Sequence, residues 1–600
     1  MPTMAPSIAA PAGGSFLLES VAPSEVFTPE DLSEEHRQIA ATAAQFAREE
    51  ILPRTEAIEA KEPGVLASLL RKAADLGFTA VDIPEEYGGL GMDRVSSTVV
   101  TDHISVLASF STAFGAHTGI STLPLVWYGT GEQKKRFLPK LATCELIGAY
   151  GLSEASSGSD AMNIRTRAVL SPDGAHYILN GEKQWLTNCG IAGLFTVFAK
   201  IVDRETGSEK FSAFLVERDT PGLTVGAEEH KMGIRGSSTC PLVLQDCQVP
   251  TGNLLGEAGK GHHIAFNVLN VGRFKLGVAC VGGARMALAE MIRYAKERRA
   301  FGKSIAEFGL IQSKISGAAT RIFAAESMAY RTAGLIDARM SEAGDAKPSE
   351  VPRIIEEYAV ECSILKVYGS EMLSMVADEL VATMGGYGYV EEYPAERYYR
   401  DARINRIFEG TNEINRLIIT GWLMKRAMTG KLPLLAAIKR VMDEVTQPPA
   451  FGGDGSTSEV LARETALLAA VKKIALFAAG VASQRFMTGL EEQQEIMADL
   501  ADTICHVFAF ESALLRARKL GVAGSNAATV AAAMTGLLAD EALAETEQAA
   551  RRVLAASSEG DALTTQLAIL RRLARSTPAD TVALRRAVAR HCIGAERYPM

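Results

Sequence analysis

Apolar residues at Ile39, Ala43, Phe46, Ala47 and Ile51 recur at the spacing of one helix face. Ser33 stands before Glu34 and Glu35 as a helix cap, and Pro53 follows as a stop. The same period, broken by turns in EEYGGLGMD and YGTGEQ, predicts a helical domain over 30–147. Between 148 and 262 the pattern becomes short apolar or alternating runs, LFTVFAKI, FSAFLVE and PLVLQDCQV. HYILNGEKQWLTN adds an Asn180-Gly181 pair that reads as a hairpin turn, so this stretch is expected to be a small antiparallel β domain. Helical periods return over 263–429, as in NVLNVGRFKLGVACVGGARMALAEMIRYAKERR. The fold class is therefore mostly α with a central antiparallel β domain.

The ends read differently. Residues 1–29 are rich in Pro, Ala and Gly and are expected to form a flexible tail. TQPPAFGGDGSTS has the composition of a linker, which places a linker segment at 430–458. Ser456 and Glu459 then form a capping box for a helical extension over 459–600.

Length and composition suit this plan: 600 residues exceed one hydrophobic core, and 47% hydrophobic with 22% charged residues is ordinary globular usage. A net charge of −9 argues against a broad nucleic-acid surface, so any anionic ligand must meet a local basic patch. The eight cysteines include no CxxC pair, and they read as buried thiols in a reducing compartment with no metal site. The start has neither the basic region nor the apolar run of a signal peptide, and no stretch qualifies as a transmembrane helix. A cytoplasmic location is expected, or a mitochondrial one in a eukaryote.

Candidate chemistry centres on RIFEGTNEINR, where Glu409 sits between Ile407-Phe408 and Gly410-Thr411. An acid beside bulky apolar side chains is desolvated when ionised, which raises its pKa towards the range of a general base. Thr411 can cap the helix that follows, whose first N–H groups could polarise an oxygen of the same ligand. YGLSEASSGSDAMNIRT offers a loop of hydroxyls and bare N–H groups suited to an anion or the polar edge of a flavin, or simply a surface turn. In QWLTN, Trp185 and Thr187 lie two apart on one strand face. KERRAFGKS puts Arg298 and Arg299 near a helix end, where guanidinium groups could grip a pyrophosphate or be solvated. No Rossmann fingerprint, GxSxG or HExxH is present.

Through YGLSEASSGSD, NGEKQWLTN, RRAFGKSIAEFGLIQ and MGGYGYVEEYPAERYYRDARINRIFEGTNEI, in that order, the chain resembles the acyl-CoA dehydrogenase family over about residues 30–425. The extension, notably LEEQQEIMADLADTICHVFAFESALLRARK, is similar to that of the very-long-chain branch. The resemblance implies a helical domain, a β domain and a four-helix bundle around FAD. The implied reaction is α,β-dehydrogenation of a fatty acyl-CoA, with electrons leaving to an electron-transferring flavoprotein. It makes Glu409 the base, because the family's alternative base position is Gly272 here. Tyr150, Leu152, Ser153, Gly158, Ser159, Trp185 and Thr187 would contact the flavin. Arg298, Phe301, Gly385, Gly386, Thr411 and Asn412 would hold the rest of FAD, partly across a dimer interface. Ser159, Asn270, Arg273, Phe408 and Gly410 would contact the substrate, and Gly115 would leave the acyl tunnel open for a long chain, with Thr112 as a partial plug. Gly309 and Ala382 depart from the glutamines common in the family.

By the same resemblance a homodimer is expected. WLMKRAMTGKLPLLAAIKRVM could lie on a membrane surface or be a plain core helix, so peripheral membrane association at the inner face is a further expectation. Two alternatives remain on this scaffold, an acyl-CoA oxidase using O₂ and a respiratory-chain assembly factor.

Overall fold

The computed structural model describes residues 10–203, 206–344, 350–447 and 460–600. The expected capping box of Ser456 and Glu459 lies outside these residues. Ser33 does cap the first helix, accepting a hydrogen bond from the His36 N–H at 3.2 Å. The N-terminal layer comprises α1 (Glu34–Phe46), α2 (Thr55–Glu59), α3 (Val65–Asp75), α4 (Arg94–Ile104), α5 (Ala108–Gly115), α6 (Leu123–Tyr128) and α7 (Gly131–Ala142).

The sheet follows as β1 (Gly148–Gly151), β2 (Arg167–Leu170), β3 (His176–Thr187), β4 (Leu194–Val202), β5 (Glu209–Glu217), β6 (Leu223–Val225), β7 (Thr239–Pro250) and β8 (Leu254–Leu255). Its order is β6-β7-β3-β2-β4-β5-β8. Pairing is antiparallel except that β1 and β2 run parallel to β4. Strand β4 is buried on both faces, with Leu194 and Phe198 in one apolar cluster and Phe195 and Val197 in another, which is why its sequence is apolar without alternation. The expected hairpin turn at Asn180-Gly181 is absent: both residues lie inside β3. The turn that precedes β3 is at Pro172-Asp173-Gly174, where the Gly174 N–H donates to the Ser171 carbonyl. Asn180 instead pairs with Asp246 of β7, and at Gly181 a Cβ would stand 2.5 Å from Thr166 Oγ1. The Asn-Gly signal thus marks a close approach at a bulge, not a chain reversal.

Helices α8 (Gly261–Glu297), α9 (Gly309–Ala343), α11 (Ala359–Met384) and α13 (Asn412–Met428) form the bundle, with α10 (Val351–Glu357) and α12 (Ala395–Ala402) in its connections. The extension consists of α14 (Leu434–Thr446), α15 (Ala462–Phe486), α16 (Gln494–Val522), α17 (Ala528–Ser557), α18 (Gly560–Leu573) and α19 (Thr581–Ala595). Helix α14 occupies what composition marked as linker. Its apolar stripe, Ala437, Val441 and Val445, is buried in the core that α15 shares, so this segment packs inward as a core helix would. Among the described residues, two helices, Gly261–Glu297 and Ala462–Glu492, are long and apolar enough to cross a membrane, and both are mostly buried in protein.

The extension is not a detached unit, because its apolar residues and those of the bundle form one continuous core. The expected flexible tail is also part of that core from residue 10 onward. The N–H groups of Gly13 and Gly14 donate to Glu357 (3.0 Å) and Glu361 (2.7 Å) of the bundle. Phe16 then packs on Phe508 of α16, ring centroids 4.7 Å apart. The buried Phe16-Leu17 pair supplies the apolar area that orders the segment.

Buried charges fix the three parts together. Arg516 of α16, 2% exposed, pairs with Glu326 of α9 at 2.6 Å and Glu30 of the N-terminal segment at 2.7 Å. Glu326 also receives the Tyr598 hydroxyl at 2.9 Å and Arg285 at 2.7 Å, and Arg285 reaches Asp102 of α4. Removing one partner of a buried ion pair leaves the other charge unpaired. Arg516→Ala is therefore expected to lower stability by about 3–5 kcal/mol, measured as a lower urea midpoint with the helical signal of the folded state retained.

Candidate active site

A cavity of about 790 Å³ opens where α8, the loop after β1, the end of β3 and the turn before α13 meet. Helix α8 lines it from His262 to Gly283, a span of about 32 Å of helix. The start of α8 contributes His262, His263, Phe266 and Asn267 to the wall, while at Gly283 a Cβ would meet Leu373 and the Ser105 carbonyl. Lys425 lines the same cavity, as do Ile104, Leu107, Ala108, Phe114 and Leu276.

Glu409 sits near the middle of this length. Its carboxylate lies over Gly272 so closely that a Cβ there would be 2.3 Å from Oε2. The absent side chain at 272 is thus the space Glu409 occupies. Glu409 and Gly410 both have left-handed backbone, φ 58° and 77°. For Glu409 this costs about 1–2 kcal/mol, so the turn must be held from outside. Asn415 donates to the Gly410 carbonyl at 2.8 Å and to the Thr411 carbonyl at 3.0 Å, and Arg273 Nε donates to the Glu409 carbonyl at 3.3 Å. Thr411 caps α13 by accepting from the Ile414 N–H at 3.2 Å.

Burial raises the Glu409 carboxyl to about 7, with Arg273 and then Lys366 opposing that rise. Glu409 Oε2 and the Tyr150 hydroxyl are both buried in the cavity wall without a hydrogen-bond partner among the described residues. Such atoms call for a ligand. Arg273 is buried too, its Nη1 donating to Asn270 Oδ1 at 2.9 Å.

The expected residues divide into three groups. Glu409, Tyr150, Leu152, Ser153, Gly158, Ser159, Trp185 and Thr187 line the cavity together, as do Asn270, Arg273, Phe408, Gly410, Thr112 and Gly115. Arg298, Gly385 and Gly386 instead line a separate depression of about 540 Å³ with Tyr294 and Tyr387, while Phe301 stands beside it, 94% exposed. Asn412 and Thr411 line neither of these two spaces. Asn412 is held within the bundle. It is fully buried, its Oδ1 accepts from Lys366 at 2.7 Å, and its Nδ2 donates to Ser370 and Glu371 at 3.0 Å. Thr411 is committed to the helix cap.

Two local devices aim the flavin-side residues. In β3, Gln184 and Trp185 together oppose Pro241, and this bulge turns Trp185 to φ 60° with its ring 55% exposed in the cavity. The loop after β1 is anchored by Glu154, which accepts from the fully buried Lys183 at 2.7 Å and from the Arg165 and Thr166 N–H groups. Glu154 and Ser157 close a tight turn that leaves Gly158 and Ser159 on the cavity. Lys366 and Lys183 were not singled out from the sequence. Their signal is a lone lysine in an apolar helix run, SILKVYG, and on a strand beside a tryptophan.

Comparison with known proteins agrees with this geometry. Models of the acyl-CoA dehydrogenase N-terminal, middle and C-terminal domains match residues 33–145, 149–247 and 259–424, and a further C-terminal domain model matches 470–572. A Bacillus subtilis (strain 168) protein named "Probable acyl-CoA dehydrogenase" is 45% identical over 98% of both chains. The human mitochondrial very long-chain specific acyl-CoA dehydrogenase is 40% identical over 58% of this chain and 51% of its own. The crystal structure of an acyl-CoA dehydrogenase complexed with FAD from Bacillus anthracis superposes with a TM-score of 0.95 at 45% identity, covering 98% of this chain and all of the other. Butyryl-CoA dehydrogenase from Megasphaera elsdenii, which has a TM-score of 0.60 at 34% identity, covers 66% of this chain.

Two outcomes follow from the placement of Glu409. Its folded-state pKa exceeds the ordinary 4.5, so the folded chain holds a proton that the unfolded chain has lost between about 4.5 and 7, and stability falls as pH rises through that window. Glu409→Gln removes this penalty and is expected to gain about 3 kcal/mol in urea unfolding at about pH 8, with little gain at about pH 4. Gly272→Ala is expected to push the carboxylate aside and lower turnover about 100-fold while the protein stays folded, read by steady-state kinetics.

Proposed function

Since the chain belongs to the acyl-CoA dehydrogenase family, we propose that it oxidises long-chain fatty acyl-CoA thioesters to trans-2-enoyl-CoA with FAD held in the 790 Å³ cavity. This is the first step of fatty acid β-oxidation, and the electrons pass to an electron-transferring flavoprotein. The observation that carries the reading is Glu409: a carboxylate pushed to about 7, with one unpartnered oxygen, in the same cavity as the exposed ring of Trp185.

The residues present fit a flavin. Trp185 offers a bare aromatic face, Thr187 a hydroxyl and Tyr150 an unpartnered one, and a Cβ at Gly158 would meet nothing within 4 Å, so the loop leaves room. Bound there, FAD supplies the acceptor for the hydride that leaves the β-carbon. Glu409 takes the α-proton, and the two electrons of that C–H bond become the new Cα–Cβ double bond. The Glu409 N–H polarises the thioester oxygen where enolate charge develops. Arg273 and Lys366 keep part of the Glu409 population ionised near neutrality, as a base requires.

The tunnel supports long chains. Along α8 the cavity continues from Gly272 to Gly283, 11 residues or about 16 Å past the base, and its lining includes Ile104, Leu107, Phe114, Leu276 and Leu373 beside Thr101 and Ser105. At Gly115 a Cβ would meet nothing within 4 Å, so no wall stands there. His262, His263 and Lys425 of the same lining suit the CoA arm. Exposed Phe301, Leu310 and Tyr389 near Arg298 and Gly385-Gly386 suit a homodimer whose partner completes the adenine-dinucleotide site. A cytoplasmic location belongs to the same reading.

Anaerobic bleaching of the flavin with C8-, C16- and C20-acyl-CoA tests cofactor, reaction and chain length together. Fast bleaching by the two longer substrates is expected, and a sharp C8 optimum would overturn the long-chain reading. Glu409→Gln should keep its flavin and lose about 10²–10⁴ in bleaching rate. Peroxide release in air without an electron-transferring flavoprotein would identify an oxidase instead.

A further inference from the structure

Lys366 of α11 is fully buried, beneath the turn that carries Glu409. Its Nζ donates to the Gly410 carbonyl and to Asn412 Oδ1, both at 2.7 Å. Ser370 and Glu371, one and two residues beyond the next helical turn, hold the other side of Asn412. We propose that Lys366 is the positioning residue of the base: its buried ammonium clamps residues 410 and 412 so that the left-handed Glu409 between α12 and α13 keeps its carboxylate over Gly272. The inference rests on Glu409 being the base.

The geometry excludes a plainer role. A buried lysine is costly unless it is paired, yet among the described residues this one makes no ion pair, and its ammonium donates to two uncharged oxygens of one turn. An apolar residue of the same volume would fill the α11 core without that desolvation. What only a cation supplies is a strong, directed hold on the Gly410 carbonyl, which Asn415 grips from the other side. The strained φ of Glu409 persists because both neighbours of the turn are fixed.

The charge has a second effect. The titratable and charged groups that act on Glu409 are Arg273 from α8, Lys366 from α11 and Tyr150 from β1. Those that act on Lys366 are Cys280, Glu409, Arg273 and Glu413. Of these, Arg273 and Lys366 are the cations that favour ionised Glu409, so losing Lys366 makes the carboxyl harder to ionise. The acid limb of the rate profile then moves to higher pH.

The test uses the flavin-loaded full chain and anaerobic bleaching by C16-acyl-CoA across pH, with Glu409→Gln as control. Lys366→Met is expected to lower the bleaching rate about 100-fold with the half-saturating substrate concentration within about threefold, and to shift the acid limb upward. Lys366→Gln keeps a donor but not the charge, so a loss of only about tenfold is expected with the same upward shift. Flavin-loaded Lys366 variants with a rate within about threefold of the parent and an unmoved acid limb would overturn the proposal and leave Glu409 as base. Failure of both variants to fold or hold flavin would also overturn it, because the lysine would then serve the core alone. An undiminished Glu409→Gln enzyme would overturn the base assignment and this inference with it.

Discussion

A carboxylate kept out of water beside fixed positive charges is the condition on which the rest of this structure depends. Ionising Glu409 in its buried position is costly, and the described residues offer its Oε2 no hydrogen-bond partner. The surrounding elements are arranged to tolerate that cost. Helix α8 gives up a side chain at Gly272 and contributes Arg273, α11 contributes Lys366, and α13 contributes the cap of Thr411 and the carboxamide of Asn415. Three helices of one bundle thus converge on a turn of three residues, and their mutual packing fixes the geometry of this carboxylate.

The β domain serves the same site by different means. A bulge in β3 redirects Trp185 out of the strand's alternation and into the cavity, and the buried Lys183–Glu154 pair pins the loop that faces it. N-terminal layer, sheet and bundle all contribute to the cavity wall, so the site exists only where the three are packed together. The extension adds a third level of constraint. Through Arg516, Glu326 and Arg285 it is tied to Asp102 at the end of α4, next to Thr101, Ile104 and Ser105 in the cavity wall. The far end of the tunnel is therefore braced by residues far away in the chain.

Some of this was legible along the chain. Glu409 was readable as a desolvated acid before a capped helix because its apolar neighbours Ile407 and Phe408, and the glycine and cap that follow, are local properties of the sequence. The change of period at 148 and 262 marked the three-part order, and Ser33 marked a helix start, because both follow from local hydrogen bonding and side-chain spacing. Where one local signal had two physical meanings, sequence reading chose wrongly. Asn180-Gly181 can be a turn or a bulge, and only the neighbours Thr166 and Asp246 decide which. A Pro- and Gly-rich start can be free or docked, and the groove of Glu357 and Glu361 decides that.

The sequence by itself determined most of the helices and strands, the apolar setting of Glu409 and the missing side chain at Gly272, because these depend on residue type and on neighbours within a few positions. Only the tertiary structure decided that Gly272 makes room for Glu409, 137 positions away. It alone showed that Lys366 grips the turn after the base, that Asn412 is spent on holding that lysine, and that the extension shares the bundle's core. These are long-range contacts between groups whose local patterns, a lysine in an apolar helix or a glycine in a long one, carry no record of the partner they meet.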